Sequence, residues 1–232
     1  MSQTGKKPKL RTGHSQDKKS GFSPFDELAS EYDAWFDGDG NLIFFIEAKA
    51  FRTLLADLPK PWLEIGVGSG RFAQALGIEN GIDPSRRLVE LARKRGINAL
   101  NTCGEKRSFD EESFGTVFLI VTLCFLDSPL AVLKETNRIL TPDGKIVLGL
   151  VLKESPWGRF YQQKKAEGHR FYQHATFYSN EDIIKLLEQA GFVTEKIIST
   201  LFQKPGNVQH AEEPKEGYYP EAGFTIIVAG KK

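Results

Sequence analysis

The stretch Trp62-Leu63-Glu64-Ile65-Gly66-Val67-Gly68-Ser69-Gly70-Arg71-Phe72 sets three alternating glycines after a short apolar run, with an acid just before them. Glycine has no Cβ and tolerates positive φ, so such a turn can bring backbone N–H groups close to a ligand. A helix beginning near Arg71 points its positive end at the same place, as in a nucleotide cradle. Read as Gly68-Ser69-Gly70-Arg71-Phe72-Ala73, the turn matches the dinucleotide pattern G-x-G-x-x-A, in which an acid further along binds a ribose. The glycine spacing alone does not single out that ligand. Three more side chains could act near such a site. Cys124 is a thiol that could contact a substrate, or a small buried hydrophobe. His169 and His174 stand among Tyr161, Arg170, Phe171, Tyr172, Phe177 and Tyr178, where either could serve as a base or simply be an exposed loop histidine. The four histidines and two cysteines have no metal-ligand spacing, so no metal is expected.

These residues need elements to position them. Phe22, Phe25, Leu28, Tyr32, Trp35 and Phe36 recur at helical spacing and predict a helix over 22–36, with Ser23-Pro24 as cap and first turn. A second helix is expected over 42–58, stopped by Pro59-Lys60-Pro61. Strand and helix signals then alternate: strand 62–66, helix 71–76, strand 81–83, helix 84–95, strand 98–102, strand 116–123, helix 129–140, turn 141–144 and strand 145–151. The 116–123 run has no polar alternation, as expected of a strand covered on both faces. Such alternation argues for a mainly parallel sheet with helices on both sides. The pattern breaks over 153–178, which reads as a mobile insertion over the sheet. Ser179-Asn180-Glu181-Asp182 opens a helix that Gly191 ends. Strands 193–202 and 224–229 follow, separated by a long loop over 204–223.

Composition bounds the function. With 232 residues, 40% of them hydrophobic, the chain can bury one sizeable α/β core. The 31 basic and 30 acidic residues nearly cancel, which argues against nucleic acid or a membrane surface as the main partner. The exception is 1–20, where six basic residues face only Asp17; this segment is expected to be a disordered, solvated tail. It lacks the apolar core of a signal peptide, and no run approaches a membrane span. Two cysteines, Cys103 and Cys124, make no disulfide framework, so a cytoplasmic location is expected.

The context of the glycine turn resembles the class I S-adenosylmethionine-dependent methyltransferases, of the small-molecule type that includes quinone-biosynthesis enzymes. Glu64 stands two residues before the first glycine, Asp83 ends the next strand in Gly81-Ile82-Asp83-Pro84-Ser85, and Gly104-Glu105 follows the third strand. Arg138-Ile139-Leu140-Thr141-Pro142-Asp143-Gly144 is similar to the family's crossover into strand five, and Tyr32-Asp33-Ala34-Trp35 to its Y-D-x-W element. The resemblance implies an α/β fold: Rossmann-like, doubly wound, a mostly parallel seven-stranded sheet with an antiparallel last strand. It would be a single domain over 22–232 after a tail 1–21, with a helical N-terminal cap (22–60) and a lid insertion (153–178). It implies that S-adenosylmethionine contacts Tyr32, Glu64, Gly66, Val67, Gly68, Gly70, Asp83, Pro84, Ser85, Gly104, Glu105 and Thr122. Asp83 would hold the ribose, 104–105 the adenine, and Tyr32 the methionine end. The activity implied is methyl transfer to a small-molecule acceptor. An NAD(P)-dependent oxidoreductase and a non-enzymatic S-adenosylmethionine-binding protein are the alternatives. Two departures stand out: Gly115 replaces an Asp common before the fourth strand, and Leu123-Cys124-Phe125 replaces paired histidines after it. They put the carry-over of any acid–base residue in doubt; the acceptor and the oligomeric state are also unassigned.

Overall fold

The computed structural model describes residues 24–232. The expected tail 1–21, together with Phe22 and the Ser23 cap, lies outside the described residues. Two helices come first, α1 (Pro24–Trp35) and α2 (Asn41–Arg52). The second is shorter than its apolar pattern suggests. Thr53 turns its hydroxyl back onto the Ala50 carbonyl at 2.7 Å, and a 3-10 turn over Leu55–Asp57 takes the rest.

The alternating segment follows as β1 (Trp62–Ile65), α3 (Arg71–Leu76), β2 (Asn80–Asp83), α4 (Arg86–Lys94), β3 (Asn98–Asn101), β4 (Phe114–Ile120), α5 (Pro129–Ile139) and β5 (Leu140–Leu150). Then come α6 (Pro156–Ala166), α7 (Asn180–Gln189), β6 (Phe192–Thr200), β7 (Lys215–Glu216) and β8 (Phe224–Lys231). They form one sheet in the order β3-β2-β1-β4-β5-β8-β6-β7. The first five strands pair in parallel, while β8 runs antiparallel between β5 and β6. The expected antiparallel last strand is therefore present. An eighth, two-residue strand inside the 204–223 loop joins the edge beyond the expected seven.

Strand periodicity sorts the core into two layers. Trp62, Phe118, Ile120 and Val147 point to the side of Phe51, Phe72, Val89 and Ala92. Leu63, Ile65, Val117, Leu119, Ile146 and Leu148 point to the side of α5 and α7. Because helices cover both faces, all seven residues of β4 are buried. The order places β1 between β2 and β4, so successive connections leave β1 in opposite directions. The crevice at the carboxyl ends of β1 and β4 is the ligand position such sheets favour.

Other expectations need revision. The segment 153–178 is not an irregular insertion: Ser155 caps α6 by accepting from the Gly158 N–H at 2.9 Å, with Pro156 at the first helical position. That cap-plus-proline signal is legible in the sequence, but the polar and aromatic composition obscures it. The expected turn at 141–144 is instead a register shift inside β5, where Phe114 pairs with Leu140 and Thr116 with Lys145. Gly115 has a steric reason: a Cβ there would lie 2.5 Å from the Pro59 carbonyl oxygen. Restoring the family's usual acid, Gly115→Asp, is expected to cost about 3 kcal/mol by overpacking. Urea unfolding would show this as a lower midpoint with an unchanged slope.

Candidate active site

At the end of β1 the chain turns through Gly66, Gly68 and Gly70 with φ of +75°, +53° and +83°. Gly66 and Val67 donate their N–H groups to the Ile82 carbonyl at 2.8 and 3.0 Å, which pins the turn to β2. Side chains cannot replace hydrogens here. A Cβ on Gly66 would sit 2.3 Å from Thr122 Oγ1, and one on Gly70 would sit 3.0 Å from the Ala92 backbone. Helix α3 has only six residues, and the N–H groups of Gly66, Val67, Gly68 and Gly70 are taken by Ile82, Asp83 and Val67, so the turn offers a ligand close backbone approach more than a helix dipole or a row of free donors.

Asp83 ends β2 and is bonded to that turn. Its Oδ2 accepts from Gly68 N–H at 3.0 Å and its Oδ1 from Ser85 N–H at 2.8 Å. Each carboxylate oxygen has more than one acceptor position, so capacity remains for a ligand. Burial raises its pKa to about 6, against the lowering effect of those two N–H groups. Glu64 is only 2% exposed. Burial, reinforced by the Asp83 charge, holds its carboxyl well above the usual range, although the Ala73 N–H donates to it. Its Oε2 is buried without a hydrogen-bond partner, a spare acceptor beside the glycine turn.

Both acids have raised folded-state values, so ionising them opposes folding. Their stabilising contribution is full below the unfolded value near 4 and is lost as pH rises through the folded value. For Asp83, whose folded value is about 6, the loss amounts to about 3 kcal/mol. Ligand-free wild-type protein should therefore lose stability relative to Asp83→Asn between pH 4 and 7. Urea titrations at several pH values check this; a parallel response of the two proteins would contradict it.

Tyr32 reaches the turn from α1: a Cβ on Gly68 would be 3.3 Å from its hydroxyl. Burial raises its pKa, and the Asp83, Glu64 and Glu47 charges add to the shift. It also packs edge-on against Phe25 and Phe36, so it is a core contact that also borders the glycine turn. A network not anticipated from the sequence fixes α1 here. Arg71 donates to Asp33 Oδ1 at 2.9 Å and to Asp37, while Arg95 donates to Asp33 Oδ2 at 2.8 Å and to the Ser69 carbonyl at 2.9 Å. Burial acts upward on Asp33, but the hydrogen bonds from Arg71 and Arg95 hold it at about 2. The acid in Tyr32-Asp33 is the available signal; its partners are 38 and 62 residues away.

The other expected residues divide. Pro84 sits in the turn after β2, its carbonyl accepting from Asn101 Nδ2 at 2.8 Å. Ser85 is wholly buried and caps α4, its hydroxyl taken by Leu88 N–H and Asp26. Gly104 is buried against Ile65 and Val132, with Glu105 exposed beside it in the turn after β3. Thr122 lies across from Gly66, donating to the Ile120 carbonyl at 3.0 Å. Before it, Val121 holds φ of +51°, a strained conformation for a β-branched residue. Cys124 sits in the 3-10 turn Leu123–Phe125, where burial pushes the thiol up to about 12. His169 and His174 are both exposed. His169 Nδ1 accepts from Phe171 N–H at 3.3 Å, and its ring lies 4.8 Å from that of Tyr172.

Aromatic side chains roof the crevice. Phe25 packs on Phe125 (5.1 Å) and Phe171 (6.3 Å), and Tyr161 stacks on Tyr172 at 4.4 Å. The 153–178 segment is tied to the β4 end by Thr176 N–H donating to the Cys124 carbonyl at 2.7 Å. A surface concavity of about 510 Å³, lined by Asp57, Pro142, Lys145 and Lys231 among others, opens at the amino ends of the strands. It is remote from the glycine turn and on the side where this architecture does not bind ligands.

A glycine turn and a buried acid on the next strand, at the switch point of a sheet ordered this way, define a Rossmann-like fold of the methyltransferase type. The chain belongs to the methyltransferase-domain family, whose model matches residues 44–197. An uncharacterized protein of Mycobacterium tuberculosis is 39% identical over 203 residues, covering 87% of this chain and 71% of its own. An uncharacterized protein of Methanocaldococcus jannaschii is 37% identical over 208 residues, covering 89% of this chain and 98% of its own. The crystal structure of an S-adenosylmethionine-dependent methyltransferase from Thermotoga maritima superposes with a TM-score of 0.84 at 39% identity, covering 90% of this chain and 99% of its own. The protein is thus an S-adenosylmethionine-dependent methyltransferase, and that cofactor, not a nicotinamide, belongs to its family. Among the described residues no helix is long and apolar enough to cross a membrane.

Proposed function

We propose that the enzyme methylates a small-molecule acceptor by direct displacement, in the space between the glycine turn, residues 122–125 and the aromatic roof. The observation that carries this is the roof itself. Phe25 and Tyr32 from α1 meet Phe171 over the carboxyl ends of β1 and β4. An aromatic cover of this kind suits a small acceptor, whereas a polymer needs an open surface.

The residues present fit the cofactor. Gly66, Gly68 and Gly70 form a turn whose positive φ and close neighbours leave no room for side chains at those positions, and Glu64 Oε2 is an orphaned buried acceptor. In this reading Asp83 accepts the ribose hydroxyls with its remaining lone pairs, and residues 104–105 border the adenine. Tyr32 covers the methionine end. When bound, S-adenosylmethionine supplies a methyl group already activated by the neighbouring sulfonium. The protein then orients the acceptor behind that methyl and excludes water. No thiolate or histidine base is required of Cys124, His169 or His174. The Thermotoga maritima protein is described as a "possible histamine N-methyltransferase", which makes an amine a sensible first acceptor to try. The two free cysteines, Cys103 and Cys124, accord with a cytoplasmic setting.

Calorimetry should detect S-adenosylhomocysteine binding, and labelled S-adenosylmethionine should pass its methyl to members of an amine, phenol and thiol panel. Label recovered only in precipitated protein or nucleic acid would overturn the small-acceptor reading. Failure to bind S-adenosylhomocysteine would overturn the site.

A further inference from the structure

Helix α2 carries a side chain that none of the above employs. Glu47 is 6% exposed, between buried Ile46 and Ala48. Burial pushes its carboxyl up to about 8, and among the described residues no cation or hydrogen-bond donor offsets it. An unpaired carboxylate in an apolar interior is strongly unfavourable, which is why buried acids normally have partners. The other charged groups of α2 are engaged elsewhere. Lys49 pairs with exposed Glu213 at 2.5 Å, and Arg52 donates to the Ala75 carbonyl at 3.3 Å.

Tyr32 and Tyr161 pack against the buried cluster that holds Ile46 and Ala48, the neighbours of Glu47. The Glu47 charge acts on Tyr32, Tyr161 and Tyr172 and adds to the raising of each phenol. Tyr161 and Tyr172 are stacked, and Tyr161 lies 5.8 Å from the Trp157 ring. Tyr172 also senses Cys124 from the β4 side. Tyr32 is the residue whose hydroxyl abuts Gly68 and senses Asp83 and Glu64. Glu47 is therefore on the roofed side of the crevice, joined to the glycine turn by a single shared tyrosine.

We propose that Glu47 binds the ammonium group of the methyl acceptor, which is therefore a small amine held by this carboxylate among the rings of Tyr32, Tyr161 and Tyr172. This rests on the preceding reading that the acceptor lies under the roof. An ammonium brings three donors and a positive charge to an acid that has neither among the described residues. Tyrosine rings add cation–π attraction at a site removed from water. A neutral alcohol of the same shape supplies no charge, so the site discriminates by leaving a buried group unsatisfied. Glu47 acts here in recognition and no bond is made or broken at it; the ammonium it holds has no lone pair, so the methyl goes to another nucleophilic atom of the acceptor.

The test titrates the protein, saturated with S-adenosylhomocysteine, with phenethylamine, tyramine and histamine. Each is compared with the alcohol in which hydroxyl replaces the amino group. At least one amine is expected to bind about 30-fold more tightly than its alcohol, and Glu47→Gln should bring that pair within about threefold. S-adenosylhomocysteine affinity and the urea midpoint should not fall in the variant. Glu47→Met carries the same test if Glu47→Gln does not fold. No amine preference in the wild type, or a preference that survives in the variant, overturns the inference. So does a loss of S-adenosylhomocysteine affinity in Glu47→Gln, which would assign the carboxylate to the cofactor. If the wild type fails to bind S-adenosylhomocysteine, the underlying site reading falls. If it binds and methyl label reaches alcohols or thiols equally with and without Glu47, only the Glu47 inference falls.

Discussion

Asp83→Asn is expected to lower S-adenosylhomocysteine affinity by about two orders of magnitude, the loss of one or two charge-assisted hydrogen bonds. Asp83 accepts two backbone N–H groups at 3.0 and 2.8 Å, and in the proposed role accepts ribose hydroxyls as well. An amide of the same shape keeps one acceptor atom and turns a donor toward the other N–H. Near pH 4, where the wild-type carboxyl is largely neutral, the variant should also be less stable by about 1–3 kcal/mol from the unsatisfied group, a deficit that narrows toward pH 7. The two effects are separable, because calorimetry on protein shown to be folded reads binding alone. Ser85→Ala is the control. Its hydroxyl is used up in capping α4 and in meeting Asp26. That variant should lose about 1 kcal/mol of stability and hold the ligand much as wild type does. Undiminished affinity in Asp83→Asn would remove the proposed ribose contact.

Gly66→Ala has the largest expected effect on the fold. A non-glycine residue at φ of +75° is strained, and its Cβ would meet Thr122 Oγ1 at 2.3 Å and Cγ2 at 2.4 Å. Backbone strain of about 1–2 kcal/mol and overpacking of about 1–3 kcal/mol sum to roughly 2–5 kcal/mol. The turn would also move relative to Asp83, so cofactor binding should fall with stability. Thr122→Ala, combined with Gly66→Ala, removes the two closest atoms and should recover about 1–2 kcal/mol in a double-mutant cycle. Additive losses would mean that backbone conformation, not the Thr122 clash, sets the cost.

Particular residues show what is readable in advance. Ser179 and Asp182 form a reciprocal capping box at the start of α7, as their spacing indicates. The resemblance at Arg138–Gly144 identifies the family, yet Arg138 itself serves the fold. It pairs with Glu135 at 2.6 Å and donates to the Phe109 carbonyl at 2.7 Å. A motif can thus point to a function its residues do not perform. Asp83 is readable because an acid ending a strand after a glycine turn has few other uses. Glu47 is not, because a glutamate in an amphipathic helix ordinarily marks the solvated side. In this fold the 153–178 segment reaches that side, bringing Tyr161 and Tyr172 from more than a hundred residues away.

Local chemistry determined much of this protein from the sequence alone. Strand–helix alternation, the glycine turn, the acid on the following strand and the helix caps all depend on residues within a few positions of one another, and periodicity and φ preference act at that range. Tertiary structure alone decided the strand order that opens the crevice beside β1, the Asp33–Arg71–Arg95 bracket, the roof of aromatic rings and the isolation of Glu47. Those features depend on burial and on contacts between distant segments, and no local pattern encodes which surfaces long-range packing will remove from water.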